Sequence, residues 1–315
     1  MTVAAVLLGY ASLVGTLGSR MLARARWGAR APLLAIVAYM AAAWSVVAAL
    51  GLAGLTLAVH ATALGGGLSD LIGACVLRLR DAYATPGGAT VAGLGLTLAG
   101  AVVARAAVTA VTHLRAVRQQ ALLHAQAVRL VGQPEPVLGA VLVDHAQPAA
   151  YCVAGPHPTV ILTTGALRTL DPDQVAAVVA HEHAHLACHH HRLLAIARIG
   201  RQMLPFVPLM RDMDTQITRL VEMHADDAAT GARGARPLAT ALVVLATAAG
   251  PAPALAAAAT DAVQRIQRLL SPAEPLGRVR RQLLRAGVAA LALTPPLVAL
   301  APAAVALALG RLPVT

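Results

Sequence analysis

The chain has little of what a water-soluble globular protein of its size contains. Charged residues make up only 12% of its 315 residues and aromatic residues 2%, whereas hydrophobic residues make up 58%. This balance excludes an ordinary soluble domain and favours an integral membrane protein. The three cysteines, Cys75, Cys152 and Cys188, form no disulfide framework.

Lysine is absent as well, and all 25 basic residues are arginine, which gives a formal net charge of +11. Nucleic-acid-binding proteins carry such a charge together with stacking aromatic residues or a recognisable binding module, and neither is present. Much of the excess positive charge instead lies beside the apolar stretches. We therefore expect contact with the lipid bilayer and no direct binding of nucleic acid.

Four stretches without charged residues are long enough to cross a bilayer. They cover residues 2–19, 31–69, 82–104 and 286–310, and a membrane-spanning helix needs about 20 such residues. A fifth stretch, residues 237–260, is broken by Gly250-Pro251-Ala252-Pro253 and is interpreted as buried helices of a domain outside the membrane. The sequence thus predicts an α-helical polytopic membrane protein with about four spans.

The predicted organisation follows from the positions of these stretches. Residues 1–112 hold three spans with their connections, residues 113–285 form an inserted domain, and residues 286–315 hold the fourth span and a short tail. Arginines crowd the first connection, follow the third span and precede the fourth; these are Arg20, Arg24, Arg26, Arg30, Arg115, Arg118, Arg278, Arg280, Arg281 and Arg285. Because arginine is enriched on the cytoplasmic side of membranes, we expect a multi-pass protein of the cell (cytoplasmic) membrane with a cytosolic domain and both termini outside the cytoplasm.

The run His181-Glu182-His183-Ala184-His185 carries the strongest functional signal. Residues four apart share a helix face, so His181 and His185 can bind one Zn²⁺ ion while Glu182 reaches a water molecule beside it. The preceding Asp171-Pro172-Asp173-Gln174 has the N-cap, N1 proline and capping-box glutamine of a helix start. The spacing therefore predicts a zinc hydrolase site on a helix.

A catalytic zinc ion needs a third protein ligand, and Glu222 is the candidate. It opens the run Glu222-Met223-His224-Ala225-Asp226, in a segment predicted to be helical up to Gly231. Glu222 and Asp226 share a face, so one carboxylate can bind zinc while the other accepts the free N–H of a ligand histidine. Taken without the first motif, the pair would equally fit an ordinary acidic helix face.

Together these motifs resemble those of gluzincin peptidases with membrane-embedded catalytic domains, a group that includes the HtpX-like proteases, the CAAX prenyl proteases and the BlaR/MecR antirepressor proteases. Residues 159–167 are similar to the strand, glycine and short helix that precede the motif in those enzymes. The resemblance implies His181, His185 and Glu222 as zinc ligands, Glu182 as general base and general acid, and Asp226 as the support of a ligand. It also implies an α+β, zincin-like metalloprotease domain with one catalytic Zn²⁺ ion.

The layout of the spans refines the resemblance. Three spans before the motif and one after it match BlaR/MecR better than HtpX, and that family cleaves a cytosolic protein, a DNA-binding transcriptional repressor, in a signalling pathway. The β-lactam sensors continue into a penicillin-binding domain after the last span; this sequence shows none, so we expect another input. A membrane quality-control protease like HtpX is one alternative, and a non-catalytic metal-sensing or metal-transporting protein is another.

Inside the domain, strands are predicted near residues 137–144, 149–153 and 159–163, after a helix over residues 113–131. The resemblance implies that a substrate peptide pairs with an exposed edge strand. For this strand we expect Thr159, Val160, Ile161, Leu162 and Thr163.

The remaining polar residues have simpler interpretations. Arg265 and Arg268 resemble an arginine-bearing helix of the family only weakly, and a solvent-exposed helix face is expected for both. His189, His190 and His191 are expected at the end of the motif helix, where positive charge suits the helix dipole. Cys188 is expected to be a buried, reduced thiol.

Overall fold

Helices dominate the computed structural model, which describes residues 2–58, 88–155, 157–231, 234–248 and 255–308. The helices are α1 (Thr2–Leu13), α2 (Ser19–Ala23), α3 (Pro32–Ala58), α4 (Gly88–Val131), α5 (Thr164–Thr169), α6 (Pro172–Ala187), α7 (His190–Met203), α8 (Pro208–Thr230), α9 (Arg236–Ala248), α10 (Leu255–Leu270) and α11 (Arg278–Ala308). The strands are β1 (Gly132–Glu135), β2 (Ala140–Val143), β3 (Ala150–Val153) and β4 (Thr159–Thr163). A π-helical turn, Val14–Gly18, joins α1 to α2.

Four of the described helical stretches are long and apolar enough to cross a membrane. They are Thr2–Ala23, Pro32–Ala58, Ala89–Val128 and Arg278–Pro302. Their number and order agree with the sequence prediction, since three precede the His181 motif and one follows it. The predicted connection between the second and third spans falls in residues 59–87, outside the described residues.

The predicted borders of the inserted domain fall inside helices. α4 runs without interruption through residues 112 and 113, and α11 runs through residues 285 and 286. In α4 no glycine or proline stands near this border to end the helix. The span and the following domain are therefore joined by continuous helix at this point.

The four candidate spans pack closely with one another, and some of them also pack with α8. A Cβ atom on Gly54 of α3 would lie only 2.7 Å from the carbonyl oxygen of Gly95 on α4, so this crossing requires glycine. Met210, Met213 and Ile217 of α8 are fully buried in the same hydrophobic cluster as residues of the first two spans. The helix that carries Glu222 thus shares a core with the spans.

The four strands form one mixed sheet in the order β1-β2-β4-β3. β2 and β4 are parallel, with Ala140 opposite Val160, whereas β1 and β3 are antiparallel to their neighbours. The prediction that Thr159–Thr163 forms the exposed edge is therefore wrong, because β4 is paired on both sides. Its buried run from Val160 to Leu162 has the continuous apolar character of an interior strand. The edges of the described sheet are β1, which the sequence did not predict, and β3.

A second hydrophobic cluster lies beneath the sheet and positions α6. It joins Leu162 of β4, Val178 of α6, Leu238 of α9 and Leu269 of α10. α9 has 13 residues and packs against this cluster, which agrees with the interpretation of this part of residues 237–260 as a buried helix of the domain. The proline-containing break at residues 250–253 lies outside the described residues.

Candidate metal centre

The helix start predicted from the sequence fixes the position of the His181 motif. The Asp171 side chain accepts a hydrogen bond from the Gln174 N–H at 2.9 Å, and Gln174 Oε1 accepts one from the Asp171 N–H at 3.1 Å. This is the predicted capping box, with Pro172 as the first helical residue. α6 continues to Ala187, so His181 and His185 project from one face with their Nε2 atoms 3.1 Å apart.

Glu222 of α8 completes a set of three donors. Its Oε2 lies 3.5 Å from His181 Nε2, and its Oε1 lies 3.6 Å from His185 Nε2. A tetrahedral zinc ion with bonds of about 2.0 to 2.1 Å separates its ligand atoms by about 3.3 Å. The three separations match that value closely, so His181, His185 and Glu222 fit one Zn²⁺ ion, and the predicted third ligand comes together with the other two.

Asp226 lies behind this set. It is completely buried, and its Oδ1 is 3.1 Å from His181 Nδ1, the nitrogen opposite the donor Nε2. A carboxylate at this position orients the imidazole and increases its basicity. Burial alone lowers the pKa of His181, but the Asp226 and Glu222 carboxylates outweigh it and raise this pKa to about 9.

Arg265 of α10 binds both acidic residues, so its predicted place on a solvent-exposed face is wrong. Its Nε and Nη2 donate to the two Asp226 oxygens at 2.9 and 2.7 Å, and its Nη1 lies 2.9 Å from Glu222 Oε2. Only 12% of the side chain is exposed. Burial raises the pKa of both carboxyl groups, but His181 followed by Arg265 lowers the pKa of Glu222, and Arg265 followed by His181 lowers that of Asp226, so that both pKa values are lowered.

Arg268, one turn further along α10, has a structural role. It pairs with Asp227 at 2.6 Å and donates to the backbone carbonyl of Ala29 in the connection between the first two spans at 2.8 Å. Its predicted exposure is also incorrect, since the side chain is mostly buried in this contact. Arg268 thus links α8 and α10 to the first connection.

A chain of imidazoles extends from His185. His190 Nδ1 lies 3.1 Å from His185 Nδ1, and His190 Nε2 lies 2.9 Å from His224 Nδ1. His190 is 1% exposed, so its expected role as a charged group at the helix end is wrong. His189 forms the turn between α6 and α7 with a φ of 53°, and this turn directs His190 back toward the site.

Only one arrangement of protons suits this chain when His185 Nε2 binds a metal. His185 Nδ1 then carries a proton and donates to His190 Nδ1, and His190 Nε2 in turn donates to His224 Nδ1. Cys188, His190 and His224 also lie close enough together to hold a metal ion. A metal ion on His190 Nε2 would displace the proton that this nitrogen donates to His224 Nδ1. We therefore interpret His190 and His224 as residues that orient His185 through hydrogen bonds.

Glu182 occupies a half-buried position beside the edge strand β3. The Cys152 thiol of β3 lies close to its carboxylate, and burial raises the pKa of Glu182. Burial and the Glu182 charge raise the pKa of Cys152 to about 12, so this thiol is neutral at physiological pH. β3 therefore lies beside both the predicted general base and the set of metal donors.

The first part of the site agrees with a known family of peptidases. Residues 113–211 match the model of Peptidase family M48. The match supports a metallopeptidase of the gluzincin type; it includes His181, Glu182 and His185, and it ends before Glu222 and Arg265. No curated protein and no solved structure matches the chain.

Proposed function

We propose that the chain is an integral-membrane, zinc-dependent endopeptidase that cleaves a cytosolic protein. The observation that carries the proposal is the grouping of three donor side chains: His181 Nε2 and His185 Nε2 lie 3.1 Å apart, and each lies 3.5 or 3.6 Å from one of the two Glu222 oxygens. Glu182 beside this group is the predicted catalytic residue. The four apolar helices support location in the cell membrane.

Each residue of the site has a task in peptide hydrolysis. A bound Zn²⁺ ion would supply the Lewis acidity that activates water and polarises a peptide carbonyl. Glu182 accepts the proton of the attacking water and passes it to the leaving amine, and a raised pKa brings this carboxylate closer to the pH at which it must do both. Asp226 and Arg265 hold His181 and Glu222 in place.

β3 is the strand to which we assign substrate binding, in place of β4. Thr163 N–H donates to the Ala149 carbonyl, so the backbone groups of Ala149 face β4. Backbone groups alternate in direction along a strand, and those of Tyr151 and Val153 therefore face β4 as well. The backbone groups of Ala150 and Cys152 consequently point away from β4. A substrate strand paired with them would pass next to Glu182, which lies close to the Cys152 side chain.

The substrate class follows from the order of the helices. Three candidate spans before the site and one after it support the BlaR/MecR-like arrangement and hence a DNA-binding repressor as the cleaved protein. An HtpX-like quality-control protease would have the same site and would cleave misfolded membrane proteins instead. A purely metal-sensing or transporting protein has no use for a general base such as Glu182 beside the metal donors, so we do not favour it.

The test separates metal binding from catalysis in the purified full-length protein. We expect Glu182→Gln to retain one zinc ion per chain and to cleave labelled casein at least about 100-fold more slowly, because only the proton acceptor is lost. Glu222→Ala and His185→Ala should lose zinc. His183→Ala is the matched control, since His183 lines a cavity on another face of α6. Full cleavage by Glu182→Gln, or unchanged zinc in both ligand variants, would contradict the proposal.

A further inference from the structure

A polar cavity of about 310 Å³ lies between the first connection, α3 and α8. Arg24 and Arg26 of the connection, Tyr39 of α3 and Arg219 of α8 contribute to its walls. No carboxylate is among its lining residues. Three arginines in the walls make this cavity attractive to an anion, and the Asp212 carboxylate, outside the lining, accepts a hydrogen bond from Ser19.

Two hydrogen-bond donors at this cavity have no partner among the described residues. They are the Tyr39 hydroxyl and Arg219 Nε, and both are buried. Tyr39 is only 2% exposed. Because nearly all buried donors in folded proteins are satisfied, two unsatisfied donors in the wall of one cationic cavity point to an acceptor group bound there.

Arg219 is held firmly in this position. One of its terminal nitrogens donates to the side-chain oxygen of Gln264, the residue before Arg265 in α10. This contact leaves Nε and the remaining terminal nitrogen available, and these donors match the oxygen geometry of a phosphate group. The neighbouring Met223 also lines the cavity, one position after Glu222.

The cavity lies at the expected level of the membrane surface. The first candidate span ends at Ala23 and the second begins at Pro32, so the short connection between them must lie where the chain leaves the bilayer. This step rests on the proposed membrane location. Phospholipid phosphates are concentrated at that level, and basic pockets between membrane helices bind them.

We propose that this cavity binds a phosphate group, with Arg24, Arg26 and Arg219 as its cationic ligands and the Tyr39 hydroxyl as a neutral donor. The volume accommodates a headgroup phosphate and not acyl chains. An anionic phospholipid is therefore one source, and free phosphate is the other. A phosphate bound there contacts α8 within one turn of Glu222.

Titration of the purified full-length protein with lipids, followed by native mass spectrometry, tests the proposal. Phosphatidylglycerol and phosphatidylcholine with the same acyl chains are compared, because the choline cation is repelled by the three arginines. We expect the wild type to bind phosphatidylglycerol about tenfold more tightly. Each arginine near an anionic headgroup contributes about 1 kcal/mol to binding, so Arg219→Gln should lower that affinity about fivefold. The double variant Arg24→Gln and Arg26→Gln should lower it further.

Two variants make the result independent of folding. Tyr39→Phe keeps every charge and should still weaken binding about tenfold, the loss of one hydrogen bond to a charged group. Arg280→Gln removes an exposed arginine of α11 that does not line the cavity, and it should bind like the wild type. Zinc content is measured for each variant to confirm the fold.

Inorganic phosphate identifies the source. If inorganic phosphate displaces phosphatidylglycerol at millimolar concentration, the cavity binds phosphate from either source. If it does not, the phospholipid is the ligand. Both outcomes support the site, provided that the arginine variants lose the preference. Equal binding of the two lipids by the wild type, or an undiminished preference in both Arg219→Gln and Tyr39→Phe, would overturn the proposal.

Discussion

Arg265 shows how one buried charge holds the candidate site together. It binds Asp226 through two hydrogen bonds and Glu222 through one ion pair, so its loss leaves a completely buried carboxylate without its cation. We expect Arg265→Met to lower the free energy of unfolding by about 3 kcal/mol or more. Arg268→Met, one turn away and paired with the more exposed Asp227, should cost about 1 kcal/mol or less. Thermal unfolding of both metal-free variants measures the difference, and equal shifts would refute it.

His190 supports a proposed zinc ligand through a single hydrogen bond. If His190 Nδ1 accepts from His185 Nδ1–H, then His190→Leu should weaken zinc binding about 10- to 100-fold. His190→Asp should restore much of the affinity, because its carboxylate can accept the same hydrogen bond. His191→Leu is the control. Competition with a chelator gives the affinities, and equal values for the leucine and aspartate variants would show that His190 only fills space.

The protonation of His181 predicts how zinc binding depends on pH. In the metal-free protein the pKa of His181 is raised to about 9, so the imidazole is protonated at neutral pH and must lose a proton to bind zinc. Affinity should therefore rise with pH, by up to about tenfold per unit between pH 6.5 and 8.5, and level off above the pKa. Asp226→Asn removes one cause of the raised pKa and should flatten this slope. An affinity that falls or stays constant in the wild type would contradict the assignment.

At the scale of elements, the position of β3 determines where a substrate binds. Ala150→Pro removes an outward N–H from this edge strand while the side of β3 that pairs with β4 keeps its hydrogen bonds. We expect kcat/KM to fall about fivefold, the value of one hydrogen bond, with unchanged zinc content. Ala150→Val keeps the N–H and serves as the control. The same kcat/KM in the proline variant and the wild type would move the substrate to another surface.

The whole molecule combines four candidate spans with a site built partly on their packing. If the arginine-rich segments lie in the cytoplasm, a topology reporter fused at Pro134 should give a cytoplasmic signal. Fusions at Gly66 and Thr315, which are not among the described residues, should give an extracytoplasmic signal. A fusion at Ala273 is the control. It should agree with Pro134, because residues 237–260 are interpreted as helices that do not cross the membrane. Opposite signals at these two positions would overturn the proposed topology.

Features that depend only on neighbouring residues can be predicted from the amino-acid sequence. The capping box at Asp171 and Gln174, the shared face of His181 and His185, and the four apolar helices all follow from interactions within one or two helical turns or from local composition. Such features are encoded within a short window, which is why each could be predicted. The third donor, Glu222, was also predicted, since its spacing to Asp226 marks a second helix of the same kind.

Contacts between residues far apart in the chain depend on the complete fold. Arg265 pairs with Asp226 across 39 residues, and His190 pairs with His224 across 34; no local pattern distinguishes these side chains from others on exposed or polar faces. The strand order likewise depends on the crossover that places β4 between β2 and β3. Burying a charge or an unpaired strand edge costs free energy unless a partner is bound to it. In the folded chain that partner comes from a distant segment, so these contacts depend on long-range packing.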